Sequence, residues 1–216
     1  MKKRKQNKTV FSTWFIYWRF NVNYMFYVVT VIFAFFGIYI LFKTKRVYEK
    51  AKTMPLWLSI CWWILDIGWT GLVISSSIYG LWHISINGLF SRLIGSLTFL
   101  VGCVFLLAEM VEFHSLRKIS GLEVSKLITT GIYRWSRNPQ FLGFYLILVG
   151  ISLFSFSGYA LLLTAIAIIF CHYYIVKIEE PYLVKVFGEE YIKYKLRTPR
   201  YFAIKTLSLR SRENKC

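Results

Sequence analysis

The stretch 126–144, KLITTGIYRWSRNPQFLGF, gathers the side chains best suited to chemistry in this chain of 216 residues. Gly131 permits a turn, and Pro139 suits the first turn of a helix, where its missing N–H costs nothing. Arg134 and Arg137 stand just before that helix start. Their guanidinium groups and the free backbone N–H groups of a helix N-terminus together favour an anion. A second cluster, Glu179–Glu180, follows two further apolar runs. If those runs form a hairpin, both clusters lie at one membrane face. A paired carboxylate facing two arginines, walled by Tyr133, Trp135, Phe141 and Tyr182, describes a site for a zwitterion.

Other polar residues are weighed against plainer roles. Asp66 sits in the middle of an apolar run, where a carboxylate is costly and functional by default; a hydrogen-bonded Asp near Ser75–Ser77 or a Trp indole is the structural alternative. Glu109 and Glu112 share one helical face, with His114 nearby, but a metal site needs more converging ligands, and an interfacial helix end is expected. His172 reads as a hydrogen-bonded residue of the bundle. Cys61, Cys103 and Cys171 lie in apolar runs and read as small buried hydrophobes. No CxxC or Cys/His spacing suits zinc, so no metal is expected.

The elements that must position these groups are membrane helices. Apolar residues make up 56% and aromatics 19%, against 17% charged; soluble domains average about 45–50% apolar and about 25% charged. That excludes a soluble enzyme or a disordered chain. The formal charge of +17 comes from Lys and Arg set between apolar runs, which fits anionic lipid headgroups rather than nucleic acid. No glycine-rich dinucleotide motif is present, so a soluble Rossmann-type cofactor domain is excluded.

The expected fold is all-α, a polytopic bundle of about five transmembrane helices in a single membrane domain, 1–216. Spans are expected at 24–42, within 56–81, and at about 93–108, 140–156 and 159–176. The first three belong to a 24–125 segment, preceded by a basic and aromatic segment, 1–23, that lacks the clean apolar core and cleavage site of a signal peptide. The last two are separated by Ser155, Phe156, Ser157 and Gly158 alone, which predicts an antiparallel hairpin. Lys and Arg number five in 43–55, one (Arg92) in 82–92, five in 109–140 and ten from Lys177 onward. This alternation predicts that 43–55, 109–140 and the tail are cytoplasmic. The six basic residues of the N-terminal segment oppose that count: either the segment is external or 24–42 does not cross fully. In the tail, Leu183, Val186 and Phe187, then Tyr191, Ile192 and Tyr194, show helical spacing. Gly188 and Pro199 divide and end two short amphipathic helices.

The strings GIYRWSRNPQFLG and IEEPYLVKVFGEEYIKYKLRTPRYF resemble the membrane methyltransferases, the isoprenylcysteine carboxyl methyltransferases and their phospholipid N-methyltransferase relatives. The shared pattern is roughly L-V-x-x-G-x-Y-x-x-x-R-[HN]-P-x-[YF]-x-G, a span, then E-E-x-x-L-x-x-x-F-G-x-x-Y-x-x-Y. Both halves match in order and spacing over about 126–202; the first three spans match by hydropathy only. The resemblance implies S-adenosylmethionine, held by the hairpin and tail of 126–202, and a lipophilic or lipid-anchored acceptor entering from the membrane. It places Lys126, Leu127, Ile128, Tyr133, Asn138, Pro139, Gln140, Phe141 and Glu179 at cofactor-contact positions. Arg137 and the helix start would hold the methionine carboxylate. Glu179 or Glu180 would hold the ammonium or the ribose hydroxyls, and a Tyr133 face the sulfonium.

Two departures bear on the acceptor. The common His of the family's R-H-P triplet is Asn138 here, which cannot carry charge. The Arg that carboxyl methyltransferases place four residues before the first Glu is Ile175. No catalytic residue is assigned: methyl transfer needs positioning above all, and only an amine acceptor needs a base, for which Glu179, Glu180 or a water would serve. Two rivals are an NADPH-dependent sterol or fatty-acyl reductase, which shares a similar C-terminal helix pattern, and a non-catalytic membrane scaffold.

Overall fold

The computed structural model describes residues 2–51, 53–85, 88–113, 122 and 126–201, with backbone alone at 2–20 and 113. His114 lies outside them. The elements are α1 (Lys2–Lys50), α2 (Leu56–Ile78), α3 (Gly88–Phe113), a 3₁₀ turn (Gly131–Arg134), α4 (Pro139–Ser155), α5 (Gly158–Tyr174), a π turn (Ile175–Glu179), α6 (Glu180–Phe187) and α7 (Glu189–Arg197). The fold is all-α, with no strand among the described residues.

Among the described residues, four segments are long and apolar enough to cross a bilayer: Asn21–Lys50, Leu56–Ile78, Gly88–Glu112 and Gly158–Phe187. The expected fourth span is α4, apolar but only 17 residues long. At 1.5 Å per residue that is about 26 Å, just short of a hydrocarbon core of about 30 Å. Residues 24–42 are the middle of a single helix of 49 residues, because nothing in 2–23 breaks the helix.

The tight hairpin at 155–158 forms for a readable reason. Phe156 takes the left-handed conformation, φ 56°, and ends α4. The Ser157 hydroxyl then accepts the Ala160 N–H at 3.2 Å and caps α5, satisfying one of the orphan donors of a helix start. The same hydroxyl donates to the Leu81 carbonyl at 2.8 Å, tying the hairpin to the end of α2.

The tightest packing in the bundle is between α3 and α4, which run antiparallel. A Cβ on Gly102 would lie 2.8 Å from the Gly143 carbonyl oxygen, and one on Gly150 would lie 2.7 Å from that of Gly95. Each helix presents two glycines seven residues apart, so the backbones touch over two turns. Small residues permit such close approach in membrane helices, where packing rather than hydrophobicity drives association. Elsewhere polar side chains join the helices: Trp69 donates to the Leu163 carbonyl at 3.1 Å, Ser152 meets Thr164 at 3.0 Å, and Thr30 meets the Tyr159 hydroxyl at 2.7 Å.

Beyond α5 the chain turns back on the bundle. Gly188, at φ 54°, separates α6 from α7 in a conformation that costs glycine little. Tyr133, Tyr191 and Tyr194 form a small core with Leu127, Ile128, Leu183 and Phe187, which fixes the tail against the 126–138 segment. Ile192, placed by its spacing with the apolar face, is exposed.

Candidate active site

The two adjacent glutamates, brought to one place by the hairpin, have opposite surroundings. Glu180 opens α6 and is almost wholly buried. Its carboxylate accepts from Arg137 Nη1 at 3.0 Å, Arg200 Nε at 2.7 Å, Arg200 Nη2 at 3.0 Å and Lys195 Nζ at 3.3 Å. The paired guanidinium contact of Arg200 is the strong, bidentate kind. Its hydrogen bond to Glu180 raises the Arg200 pKa above the usual arginine value. Arg137 also donates to the Tyr191 hydroxyl at 3.2 Å, while its Nε has no hydrogen-bond partner. The two arginines that meet Glu180 are therefore Arg137 and Arg200. Arg134, expected beside Arg137, is exposed and forms no ion pair among the described residues, because the 3₁₀ turn points it outward.

The segment before α4 and the end of the tail run together. Arg137 N–H donates to the Pro199 carbonyl at 2.9 Å. The Ser136 hydroxyl and the Asn138 side-chain amide both donate to the Arg200 carbonyl, at 3.2 and 3.0 Å. Asn138 therefore uses its amide on the tail, and Pro139 is fully buried at the first turn of α4.

Glu179 ends the π turn. Its Oε2 is buried and has no hydrogen-bond partner among the described residues. The phenols of Tyr48, Tyr133, Tyr145, Tyr174 and Tyr182 all stand close enough to feel its charge. Aromatic rings close the space around it: Tyr48 stacks on Tyr182 with centroids 3.9 Å apart, and Phe141 lies 5.9 Å from Tyr174. A buried carboxylate oxygen without a donor is costly, and aromatic faces attract cations. The arrangement suits a cationic group.

Tyr133 links this space to α3. Its hydroxyl donates to Glu109 Oε1 at 3.0 Å, and its carbonyl accepts from the Tyr194 hydroxyl at 2.7 Å. Burial, and then the neighbouring Glu109, push the Tyr133 phenol well above its ordinary pKa, so it stays a donor. Glu109 is only 3% exposed, not the interfacial helix end expected from its position. Glu112 sits beneath Gly131, where a Cβ would overlap its carboxylate. Asp66 acts electrostatically on Cys171, which also feels Glu179, so it faces the bundle. Its expected serine neighbour Ser76 bonds instead to Val73 within α2. His172 is hydrogen-bonded as expected, to the Tyr201 hydroxyl at 3.0 Å, although it is exposed.

Of the remaining candidates, Leu127 and Ile128 pack on the tyrosine core, Phe141 and Gln140 are half-buried at the start of α4, and Lys126 is exposed. Of the four aromatic walls expected, Trp135 is 66% exposed and does not close the site. Sequence reasoning missed Tyr48, Tyr174 and Arg200 and set Glu109 aside as a helix end. Tyr174 lies five residues before Glu179, off the shared face of a regular helix, and is brought to it by the π turn; Tyr48 comes from a distant helix and had no signal. No group of three or more potential metal ligands occurs among the described residues.

A family model described as phospholipid methyltransferase matches residues 90–190. That span covers α3, the arginine segment, both arms of the hairpin and α6. Over 69 residues the chain is 35% identical to protein-S-isoprenylcysteine O-methyltransferase of Saccharomyces cerevisiae (strain ATCC 204508 / S288c), across 32% of this chain and 29% of that protein. The match thus spans under a third of the curated relative. No solved structure matches. Both matches bear out the resemblance to the membrane methyltransferases, and the family match extends it back through α3.

Proposed function

We propose that this protein is an integral membrane methyltransferase that uses S-adenosylmethionine and acts on a lipophilic acceptor, in the manner of the isoprenylcysteine carboxyl methyltransferases. The observation that carries this reading is the unpartnered, buried Glu179 carboxylate oxygen among tyrosines, next to the proline-started N-terminus of α4. The residues present fit the cofactor: a carboxylate for its ammonium or ribose hydroxyls, aromatic faces for its sulfonium, and the segment from Lys126 to Phe141 for the remainder. When bound, it would supply the electrophilic methyl group. Arg137 and Glu180, engaged with each other, serve this site by holding the tail over it. The positive-inside count supports a cytoplasmic position for this end of the bundle.

The chain's own residues then exclude water and orient the acceptor. The tyrosine and phenylalanine rings lower the local dielectric, and Tyr133 keeps its proton and fixes Glu109. An acceptor carboxylate needs no base; an acceptor amine must lose a proton, and Glu179 is the buried carboxylate placed to take it. One observation favours the second reading, a phospholipid N-methyltransferase. Ile175, where carboxyl methyltransferases carry an arginine, is fully buried in an apolar cluster, and Lys177 is exposed. No cation is offered there to an acceptor carboxylate. Isothermal titration with S-adenosylhomocysteine and with NADPH tests the class. Binding in the micromolar range to the first and none to the second is expected; the reverse makes the protein a reductase, and binding to neither makes it a scaffold. Methylation of a prenylcysteine analogue against phosphatidylethanolamine then separates the two acceptors.

A further inference from the structure

The opposite end of the bundle carries a second feature that methyl transfer does not use. α2 and α3 both pack on α4, and a cleft of about 800 Å³ opens between them. Its walls are apolar: Ile74 and Ile78 on α2, Phe99 and Leu100 on α3, with α4 as the floor. Its mouth is cationic. Arg92, with His83 beside it, lines the cleft, and the Arg92 guanidinium lies 5.6 Å from the Phe156 ring centroid. Arg92 meets no carboxylate among the described residues, and no Asp or Glu lines the cleft. Ser77, also in the lining, has a buried hydroxyl with no hydrogen-bond partner among the described residues.

These observations combine into one ligand chemistry. Arg92 precedes Leu100 by about two helical turns, or about 12 Å, so an anion at the mouth would continue into an apolar slot. An arginine held on an aromatic face, with no acid beside it, keeps its donors for an incoming oxyanion. The floor helix is 17 residues long, so the mouth lies about 26 Å from the end bearing Glu179. Whatever occupies the cleft is not the molecule being methylated. We infer that the α2–α3–α4 cleft binds an anionic phospholipid, its phosphate on Arg92 and an acyl chain between Ile78 and Leu100. The site would hold a structural or regulatory lipid in the leaflet opposite the methyl-transfer site.

Native mass spectrometry of the full chain in detergent tests this, titrating dioleoyl phosphatidylglycerol against dioleoyl phosphatidylcholine. The expected result is one phosphatidylglycerol held about tenfold more tightly than phosphatidylcholine. Arg92→Gln should abolish that preference and Arg92→Lys should retain most of it. Leu100→Trp, at an exposed position that tolerates the larger ring, should weaken both lipids by filling the slot. S-adenosylhomocysteine binding should persist in all three variants, which separates failure here from failure of the methyltransferase reading. Equal binding of the two lipids by the native chain, or an undiminished phosphatidylglycerol preference in Arg92→Gln, overturns the inference. So does loss of the preference together with S-adenosylhomocysteine binding, since that marks general disruption.

Discussion

Replacing Glu180 with alanine tests whether the charge cluster at the start of α6 is architecture or ligand site. The Arg137 and Glu180 side chains are 6% and 5% exposed and 3.0 Å apart. Arg200 and Lys195 are 31% and 45% exposed. Removing one partner of a buried pair costs about 3–5 kcal/mol, because the other charge stays buried and unpaired. Exposed pairs add only about 0.2–1 kcal/mol each. Arg137 Nε already lacks an acceptor, and the Tyr191 hydroxyl alone would remain for Nη1. The Arg137 contact therefore dominates, and the whole loss is about 3–5 kcal/mol. In a chain of this length each kcal/mol moves the melting temperature by about 2–4 °C, so the midpoint should fall by on the order of 10 °C. Intrinsic tryptophan fluorescence in detergent, at one fixed scan rate, reads it. Arg137→Ala should cost roughly half as much, since Glu180 keeps Arg200 and Lys195. The double variant should lose less than the sum. A Glu180→Ala midpoint within about 2 °C of the native protein, or strict additivity in the double variant, would refute the reasoning.

Glu179→Gln should do the opposite: melting temperature unchanged or raised, because an unpartnered buried carboxylate is removed, and S-adenosylhomocysteine affinity down by about tenfold or more; calorimetry showing native affinity would remove Glu179 from the site. Gly102→Leu should force α3 and α4 apart, since even a Cβ there meets backbone at 2.8 Å; a loss of about 1–3 kcal/mol is expected in the same melting assay, and Gly71→Leu, with open space at its Cβ, should change little. Burial raises the Tyr133 and Tyr194 phenols above their ordinary 10.0, so their neutral forms favour the folded state. That contribution is complete below the unfolded value and fades above it: melting temperature should drop as pH rises past about 10, and Tyr133→Phe should soften the drop.

The helices and the pairing of the two clusters were legible because they rest on local signals. Long apolar runs, Pro139 at a helix start, Ser157 after Phe156, and Gly188 between two short amphipathic stretches each act within a turn or two of chain. Partnerships between distant residues were not legible. Arg200 looked like one more basic residue of the tail, yet it closes on Glu180, 20 residues earlier. Arg134 looked equivalent to Arg137, but Arg134 ends the 3₁₀ turn with its side chain exposed, while Arg137, past that turn, has its side chain buried against Glu180. Nothing in the spacing singles out Lys185; its ammonium donates to the Tyr48 and Glu49 carbonyls at 3.3 and 2.7 Å and caps the end of α1, a role that depends on a helix 136 residues away. Arg137 and Glu180, which lie beside the ends of the hairpin in sequence, are buried because the tail folds over them.

The different surroundings of Glu179 and Glu180 turn on the π turn, which sequence periodicity cannot reveal. Along α5 and into the π turn the buried face runs Ala160, Leu163, Ala167, Cys171, Tyr174 and Ile178, a stripe of helical period. Extended without interruption, that stripe would carry residues 181–182 and 185 inward. Instead Pro181 and Lys185 are exposed and Glu180 is buried. Residues 175–179 wind as a π turn, and the extra residue rotates everything after it by about 100°. That rotation directs Glu180 toward Arg137 and the tail, and leaves Glu179 on the aromatic side with an oxygen that no described residue satisfies. A regular helix through 175–179 would have put a proline and a lysine against the bundle, and the carboxylates could not have divided the work between holding the tail and meeting a ligand.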